Sequence, residues 1–112
     1  MTSSHLVWPN KVEWVSPEMI RAAFNDGQFS ERLKNGELSA TLWSENHPRR
    51  PPTGDPRCTL SQIWVYFDGG NPVALVHQYL RPDGKLGAGG RPDPKRLAIG
   101  DKVLAVRATT TV

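Results

Sequence analysis

The sequence predicts an α+β fold in which a small, mainly antiparallel sheet of three to five strands carries one or two N-terminal helices on one face. Three observations support this prediction. A well-capped amphipathic segment lies near residue 17, two β-rich runs flank a short glycine turn, and nine aromatic residues can help to fill a core. The length of 112 residues fits one domain spanning residues 1–112.

The clearest helix in the pattern covers residues 17–26. Ser16 can cap its first turn, Pro17 suits the first helical position, and Glu18 complements the positive end of the helix dipole. Gly27 predicts its end. The apolar residues that share one helical face are Met19, Ile20, Ala23 and Phe24.

The segments on either side of this helix are shorter. The pattern predicts two short strands, at residues 6–8 and 12–15, separated by Pro9. A second short helix is predicted at residues 30–34, either separate from the first or continuous with it through a kink. Alternation of apolar and polar residues predicts a strand at residues 38–43.

The central feature of the predicted sheet is a hairpin. Residues 59–67 and 73–80 are rich in β-branched and aromatic side chains, and turn residues join them. Both faces of this hairpin are largely apolar, so we expect it to lie in the middle of the sheet. Short closing strands are predicted at residues 97–99 and 102–106.

Charge is distributed unevenly along the chain. Residues 1–46 hold four basic and six acidic side chains, whereas residues 47–112 hold ten basic and five acidic ones, and the net charge is +3. A basic half of this kind favours an anionic partner such as RNA, DNA or an acidic protein surface.

Two loops rich in proline and glycine, at residues 45–57 and 81–96, carry most of this positive charge. Glycines there let the backbone approach an anion closely, and prolines stiffen the loop before binding. The second loop has neither the GxxxxGK[ST] phosphate-loop motif nor a complete GxGxxG motif. The residues predicted to bind nucleic acid are Arg81, Lys85, Arg91, Lys95 and Arg96, assisted by Arg49 and Arg50.

His77 and Tyr79 form a second candidate site, on the predicted hairpin and near Arg81. A histidine can move a proton to or from a 2′-hydroxyl while nearby cations stabilise the phosphate, which is the chemistry of a small metal-independent ribonuclease. A histidine among apolar strand residues is also typical of a hydrogen-bonded core side chain.

The sequence is therefore compatible with three functions. The first is a non-catalytic module that binds nucleic acid through the 81–96 loop. The second is a small, toxin-like ribonuclease. The third is a protein-interaction or assembly module, for which a homo-oligomer is one arrangement.

The cysteine content and the lack of long apolar segments indicate the cellular compartment. The single cysteine, Cys58, favours a reducing compartment, and we expect the cytoplasm. Residues 1–5 show no start of a signal peptide, and no apolar run reaches the roughly 18 residues of a membrane span. Neither a cofactor nor a metal is predicted, because the histidines and the cysteine show no ligand spacing.

Overall fold

The computed structural model describes residues 6–107, which form two helices and six strands. In chain order the elements are β1 (Lys11–Trp14), α1 (Pro17–Asp26), α2 (Phe29–Lys34), β2 (Ser39–Asn46), β3 (Leu60–Asp68), β4 (Asn71–Leu80), β5 (Asp93–Ile99) and β6 (Lys102–Ala105). The α+β class is confirmed. The predicted number of strands was slightly low, because all six strands join one sheet.

The strand order across the sheet is β1-β6-β5-β4-β3-β2. Strands β2 to β6 form an antiparallel meander, in which each strand pairs with the next one along the chain. The first strand pairs in parallel with the last, with Lys11 opposite Lys102 and Trp14 opposite Ala105. A parallel pair needs a long connection between its strands, so the pairing of β1 with β6 cannot be predicted from a short-range pattern in the sequence.

The first helix begins as its sequence predicts. The N–H of Met19 donates to Ser16 Oγ at 3.1 Å, and Pro17 takes the first turn. The end of the helix differs in detail, because the left-handed residue is Gln28 (φ 54°) while Gly27 keeps a right-handed conformation. Gly27 is needed for space instead, since a Cβ there would lie 2.5 Å from the ring of Phe29.

Both helices contribute to a core on one face of the sheet. The rings of Phe24 and Phe29 stack with their centroids 5.4 Å apart, and Tyr66 lies against Phe24. The buried residues of this core are Ile20, Phe24, Phe29, Leu38, Tyr66, Ala74, Val76, Leu97 and Leu104. Burial of these side chains positions α1 across β5, which fixes one wall of the cleft described below.

Several boundaries of strands and loops differ from those predicted. Residues 6–8 form no strand, and the two basic loops are shorter than predicted, because residues 45–46 belong to β2 and residues 93–96 belong to β5. The proline-rich start of β5 fits the sheet because the register with β4 shifts around Lys95, next to Pro94. Such a bulge accommodates a residue that cannot donate to a regular ladder.

Neither helix within residues 6–107 has the length and apolar character needed to cross a membrane.

Candidate functional site

A cleft opens where β4 extends beyond the beginning of β5. His77 pairs with Asp93 at the start of β5, so the last residues of β4 have no partner in that strand. The 81–92 loop returns beside them, with the N–H of Gly87 donating to the carbonyl of Tyr79 at 2.8 Å. The loop and the helices therefore enclose a space beside the last residues of β4.

The volume of this cleft is about 510 Å³, which lies within the range of small-ligand sites. Its walls come from both helices, from β4 and from the loop that leads into β5. The lining residues are Arg21, Phe24, Asn25, Ser30, His77, Gln78, Tyr79, Ala88, Gly89, Arg91, Pro92, Asp93 and Pro94. Apolar ring surface and polar donors thus meet in one concavity.

Asp93 links two cations at the cleft. Its carboxylate accepts from Arg21 Nε at 3.3 Å and from Lys95 Nζ at 2.8 Å. Burial pulls the pKa of Asp93 upward, but the hydrogen bonds and charges of Lys95 and Arg21 outweigh it and hold that pKa below its ordinary value. The group therefore stays an anion at neutral pH and fixes both cations.

Arg91 lines the opposite side of the cleft, on the loop. Within residues 6–107, no carboxylate lies within 4.0 Å of its guanidinium group. Its five N–H donors are therefore free of ion pairing in that part of the chain, and a guanidinium group suits bidentate contact with a phosphate.

His77 has a specific polar partner that the sequence did not reveal. Its Nε2 lies 2.7 Å from Ser61 Oγ on β3, and its ring meets the ring of Tyr79 edge to face at 4.6 Å between centroids. Burial, followed by the charge of Lys95, lowers the pKa of His77 below its ordinary 6.5, although Asp93 acts in the other direction. The imidazole is therefore neutral at pH 7.

The sheet register explains how these groups meet. Ser61 pairs with Tyr79 and Ile63 pairs with His77, so all four side chains belong to the face opposite the helical core. The intermediate residues, Gln62 and Gln78 among them, belong to the helix face. His77 is half-buried on the sheet, hydrogen-bonded and also at the edge of the cleft.

The 81–92 loop contacts a carboxylate of the same chain, that of Asp55. The side chain of Asp55 is only 7% exposed, and Asp55 Oδ2 accepts from the N–H of Ala88 at 3.1 Å. A Cβ on Gly87 would collide with the same carboxylate. The two basic loops therefore touch at Asp55, and one of the predicted anion contacts of the glycine-rich loop is made internally.

The predicted cations fall into different settings. Arg81 lies 4.0 Å from Asp55 and 3.8 Å from Asp83, and its buried Nε has no hydrogen-bond partner among the described residues. Lys95 is held by Asp93. The remaining cations of the prediction are exposed and outside the cleft lining, with no ion pair inside residues 6–107: Arg49, Arg50, Lys85 and Arg96.

A hydrogen-bonded amide network supports the floor of the cleft. Gln78 Nε2 donates to Gln62 Oε1 at 2.9 Å, and Trp64 Nε1 donates to the same oxygen at 3.0 Å. The amide group of Gln62 in turn donates to Glu45 Oε2 at 2.6 Å. Gln62 is almost fully buried, so the network fixes the orientation of Gln78.

Sequence reasoning missed several residues of this site. They are Arg21, Ser61, Asp93, Asn25, Ser30 and Gln78. Arg21 lies on the polar side of α1 and is 72 residues from Asp93, whereas Ser61 is 16 residues from His77. A correct register for the predicted hairpin could have placed Ser61 diagonally opposite His77. No comparable signal was available for Arg21, because its position depends on how α1 crosses the sheet.

No group of three or more histidine, cysteine, aspartate or glutamate side chains within residues 6–107 is arranged to hold a metal ion.

Comparisons of the chain with protein-family models, with curated proteins and with solved structures gave no match.

Proposed function

We propose that this protein binds single-stranded nucleic acid in the cleft between α1 and the 81–92 loop. The observation that carries the proposal is that Arg21 and Arg91, from two separate elements, line one concavity together with Tyr79. Cationic groups and an aromatic ring in one groove are the common requirement for binding a phosphate backbone with a stacked base, and the half-buried Tyr79 is the aromatic residue here.

The electrostatics of the cleft favour an anion. Two guanidinium groups and one carboxylate line it, and the ammonium group of Lys95 neutralises that carboxylate. Arg91 is the better candidate for a phosphate contact, because Arg21 already donates one hydrogen bond to Asp93. We therefore assign Arg91 the main phosphate contact, with Arg21 and Lys95 supplying additional positive potential.

The shape of the cleft favours a single strand over a duplex. A volume of about 510 Å³ accommodates roughly one nucleotide unit, whereas duplex recognition uses a helix or ribbon that enters a groove. Asn25, Ser30 and Gln78 offer amide and hydroxyl groups to the edge of a base. Arg49, Arg50 and Lys85 lie outside the cleft and would act only on neighbouring phosphates.

Fluorescence anisotropy with labelled 12-nucleotide RNA and DNA of mixed sequence tests the proposal. We expect binding at low salt that weakens as salt rises, because bound cations release counterions from the phosphates. Arg91→Ala should weaken binding roughly tenfold, the effect of losing one charge-assisted contact, and should lower the salt slope by about one.

Lys11→Ala is the matched control. Lys11 pairs with Asp101 at the opposite end of the β5–β6 hairpin, so its loss makes the same change in net charge away from the cleft. Equal weakening by both variants would contradict a specific role for the cleft. Binding of poly-glutamate as tight as that of RNA would contradict nucleic acid as the ligand and favour an acidic protein surface.

A further inference from the structure

Three adjacent strands bring a hydroxyl, an imidazole and a carboxylate together, and of these residues His77 and Asp93 also line the cleft. Ser61 on β3 lies 2.7 Å from His77 Nε2 on β4, and Asp93 at the start of β5 pairs with His77 in register. We propose that Ser61 is a nucleophile activated by His77 and that it attacks phosphoryl centres. The choice of a phosphodiester as substrate rests on the proposed function, whereas the activation of Ser61 does not.

The geometry satisfies the main requirement for an activated serine. A nucleophile and its base must lie within hydrogen-bond reach, and the distance between Ser61 Oγ and His77 Nε2 meets it. The hydroxyl donates to Nε2 when the imidazole carries its proton on Nδ1, which is the tautomer that the mechanism uses. Edge-to-face contact with the Tyr79 ring restricts the rotation of the imidazole.

The charges around His77 support a proton transfer. Asp93 carries a negative charge that favours the imidazolium formed when Ser61 loses its proton. Lys95 opposes the imidazolium, but an ammonium group at this position can also stabilise the negative charge that develops on phosphoryl oxygens. Asp93 itself hydrogen-bonds Arg21 and Lys95, so its effect on His77 is electrostatic.

The same contact argues against direct use of a 2′-hydroxyl by His77. Nε2 is already engaged by Ser61, so a substrate hydroxyl would first have to displace the serine. The hydroxyl best placed to give its proton to His77 is therefore that of Ser61. A serine mechanism needs no 2′-hydroxyl and would act on DNA as well as on RNA.

The reaction balances without a further reagent. Ser61 Oγ forms a bond to phosphorus as the bond to the leaving oxygen breaks, and the serine proton passes through Nε2 to that leaving oxygen. Water then attacks the phosphorus of the serine-linked diester, gives its proton to Nε2 and leaves as part of a phosphate monoester. The bond between phosphorus and Oγ breaks, and Ser61 recovers the proton.

Labelling with an alkyl fluorophosphonate tests the activation of Ser61 directly, because this reagent forms a phosphorus–Oγ bond and loses fluoride. We expect mass spectrometry to find Ser61 modified at least tenfold faster than Ser44, an exposed serine on β2. His77→Gln should reduce labelling of Ser61 by at least tenfold, since general-base catalysis contributes about 10²–10⁴ in rate.

The pH dependence provides an independent readout. Labelling should rise with pH through an inflection below 6.5, because the neutral imidazole is the active form and its environment includes Lys95, Asp93 and Tyr79. Modification of Ser61 at the same rate as Ser44, or a rate unchanged by His77→Gln in a protein with native circular dichroism, would overturn the proposal.

A second variant keeps the test decisive if His77→Gln does not fold. In Ser61→Cys, the new thiol should react with iodoacetamide faster than the exposed Cys58 of the same molecule, because the imidazole withdraws its proton. Slower reaction than at Cys58 would count against activation. Labelling requires no nucleic acid, so its outcome is separate from that of the binding experiment.

Discussion

At the scale of single residues, Asp55 organises the loop that forms one wall of the cleft. Its almost fully buried carboxylate accepts from the N–H of Ala88 and lies against Gly87. A buried charge is tolerable only with such partners, and Arg81 supplies a cation at 4.0 Å. The contact joins the 47–59 segment to the 81–92 loop, which carries Arg91.

Gly87→Ala should destabilise the protein, because the added Cβ would collide with the carboxylate of Asp55. We expect the free energy of unfolding to fall by about 1–3 kcal/mol, the usual cost of forcing extra volume into a packed site. Urea unfolding followed by circular dichroism measures the change.

Gly70→Ala is the control for this substitution, because a Cβ at Gly70 meets nothing within 4 Å. An equal loss of stability in both variants would show that the glycine backbone, not the Asp55 contact, accounts for the effect. Adding Asp55→Ala to Gly87→Ala should cost less than the sum of the two single changes, because the colliding group is removed.

At the scale of elements, α1 is the part that joins the core to the cleft. Ile20 and Phe24 are buried beneath it, while Arg21 and Asn25, each one residue further along, line the cleft. The 3.6-residue period of a helix makes this division possible. Its starting point was predictable, because Ser16 and Pro17 form a local signal that needs no tertiary contact.

The element boundaries that could not be predicted depend on tertiary contacts. β5 begins at Asp93 because the sheet accepts Pro94 at a bulge, and the prolines around it otherwise indicate a loop. The break between the helices lies at Gln28, where the stacked rings of Phe24 and Phe29 determine the direction of the chain. Neither contact is visible in a local pattern.

Ile20→Ala should loosen the packing of α1 on the sheet. Ile20 is 0% exposed, and removal of a buried aliphatic side chain typically costs about 2–5 kcal/mol, because it leaves a cavity. Because α1 carries Arg21, the same change should also weaken nucleic-acid binding. Urea unfolding and the anisotropy assay measure the two effects.

Met19→Ala is the matched control for Ile20→Ala, because its side chain is 56% exposed on the same helix. We expect a change within about 0.5 kcal/mol, as for most surface substitutions. A comparable loss in both variants would contradict the claim that burial of Ile20 against the sheet controls the stability of α1.

At the scale of the whole molecule, the meander determines which polar groups meet. Ser61, His77 and Asp93 come from three consecutive strands, and the pairing of β3, β4 and β5 places them side by side. The same register separates them from the helix-facing Gln62 and Gln78. A shift of one residue in the pairing of β3 with β4 would put His77 and Ser61 on opposite faces of the sheet and remove their contact.

Global stability should decrease as the pH falls from 7.5 to 5.0. The folded state lowers the pKa of His77 below its unfolded value of 6.5, so the unfolded chain binds more protons over this range. The stability associated with neutral His77 is present above pH 6.5 and is lost as the pH falls toward the folded pKa. Asp93, whose pKa is also lowered, loses its contribution only below its ordinary value of 3.8.

Urea unfolding at several pH values measures this dependence, and His77→Gln isolates the residue responsible. The variant should show a smaller fall in unfolding free energy between pH 7.5 and 5.0 than the native chain. An identical fall in both proteins would assign the effect to other groups and contradict a lowered His77 pKa.

Local sequence patterns were enough to predict the α+β class, the first helix with its cap, and the hairpin at the centre of the sheet. These follow from local patterns of side-chain polarity and turn residues, which act over a few residues of the chain. The sequence also identified Arg91, Lys95, His77 and Tyr79 as candidates.

Which of these candidates lie together depends on tertiary contacts. In the folded chain, Arg21 lines the cleft and Ser61 contacts His77. Lys95 forms an ion pair with Asp93. The cations outside the cleft are Arg49, Arg50, Lys85 and Arg96. A site of this kind forms where strand register and helix packing bring side chains together. Both depend on contacts between residues far apart in the chain, which no short window of sequence contains.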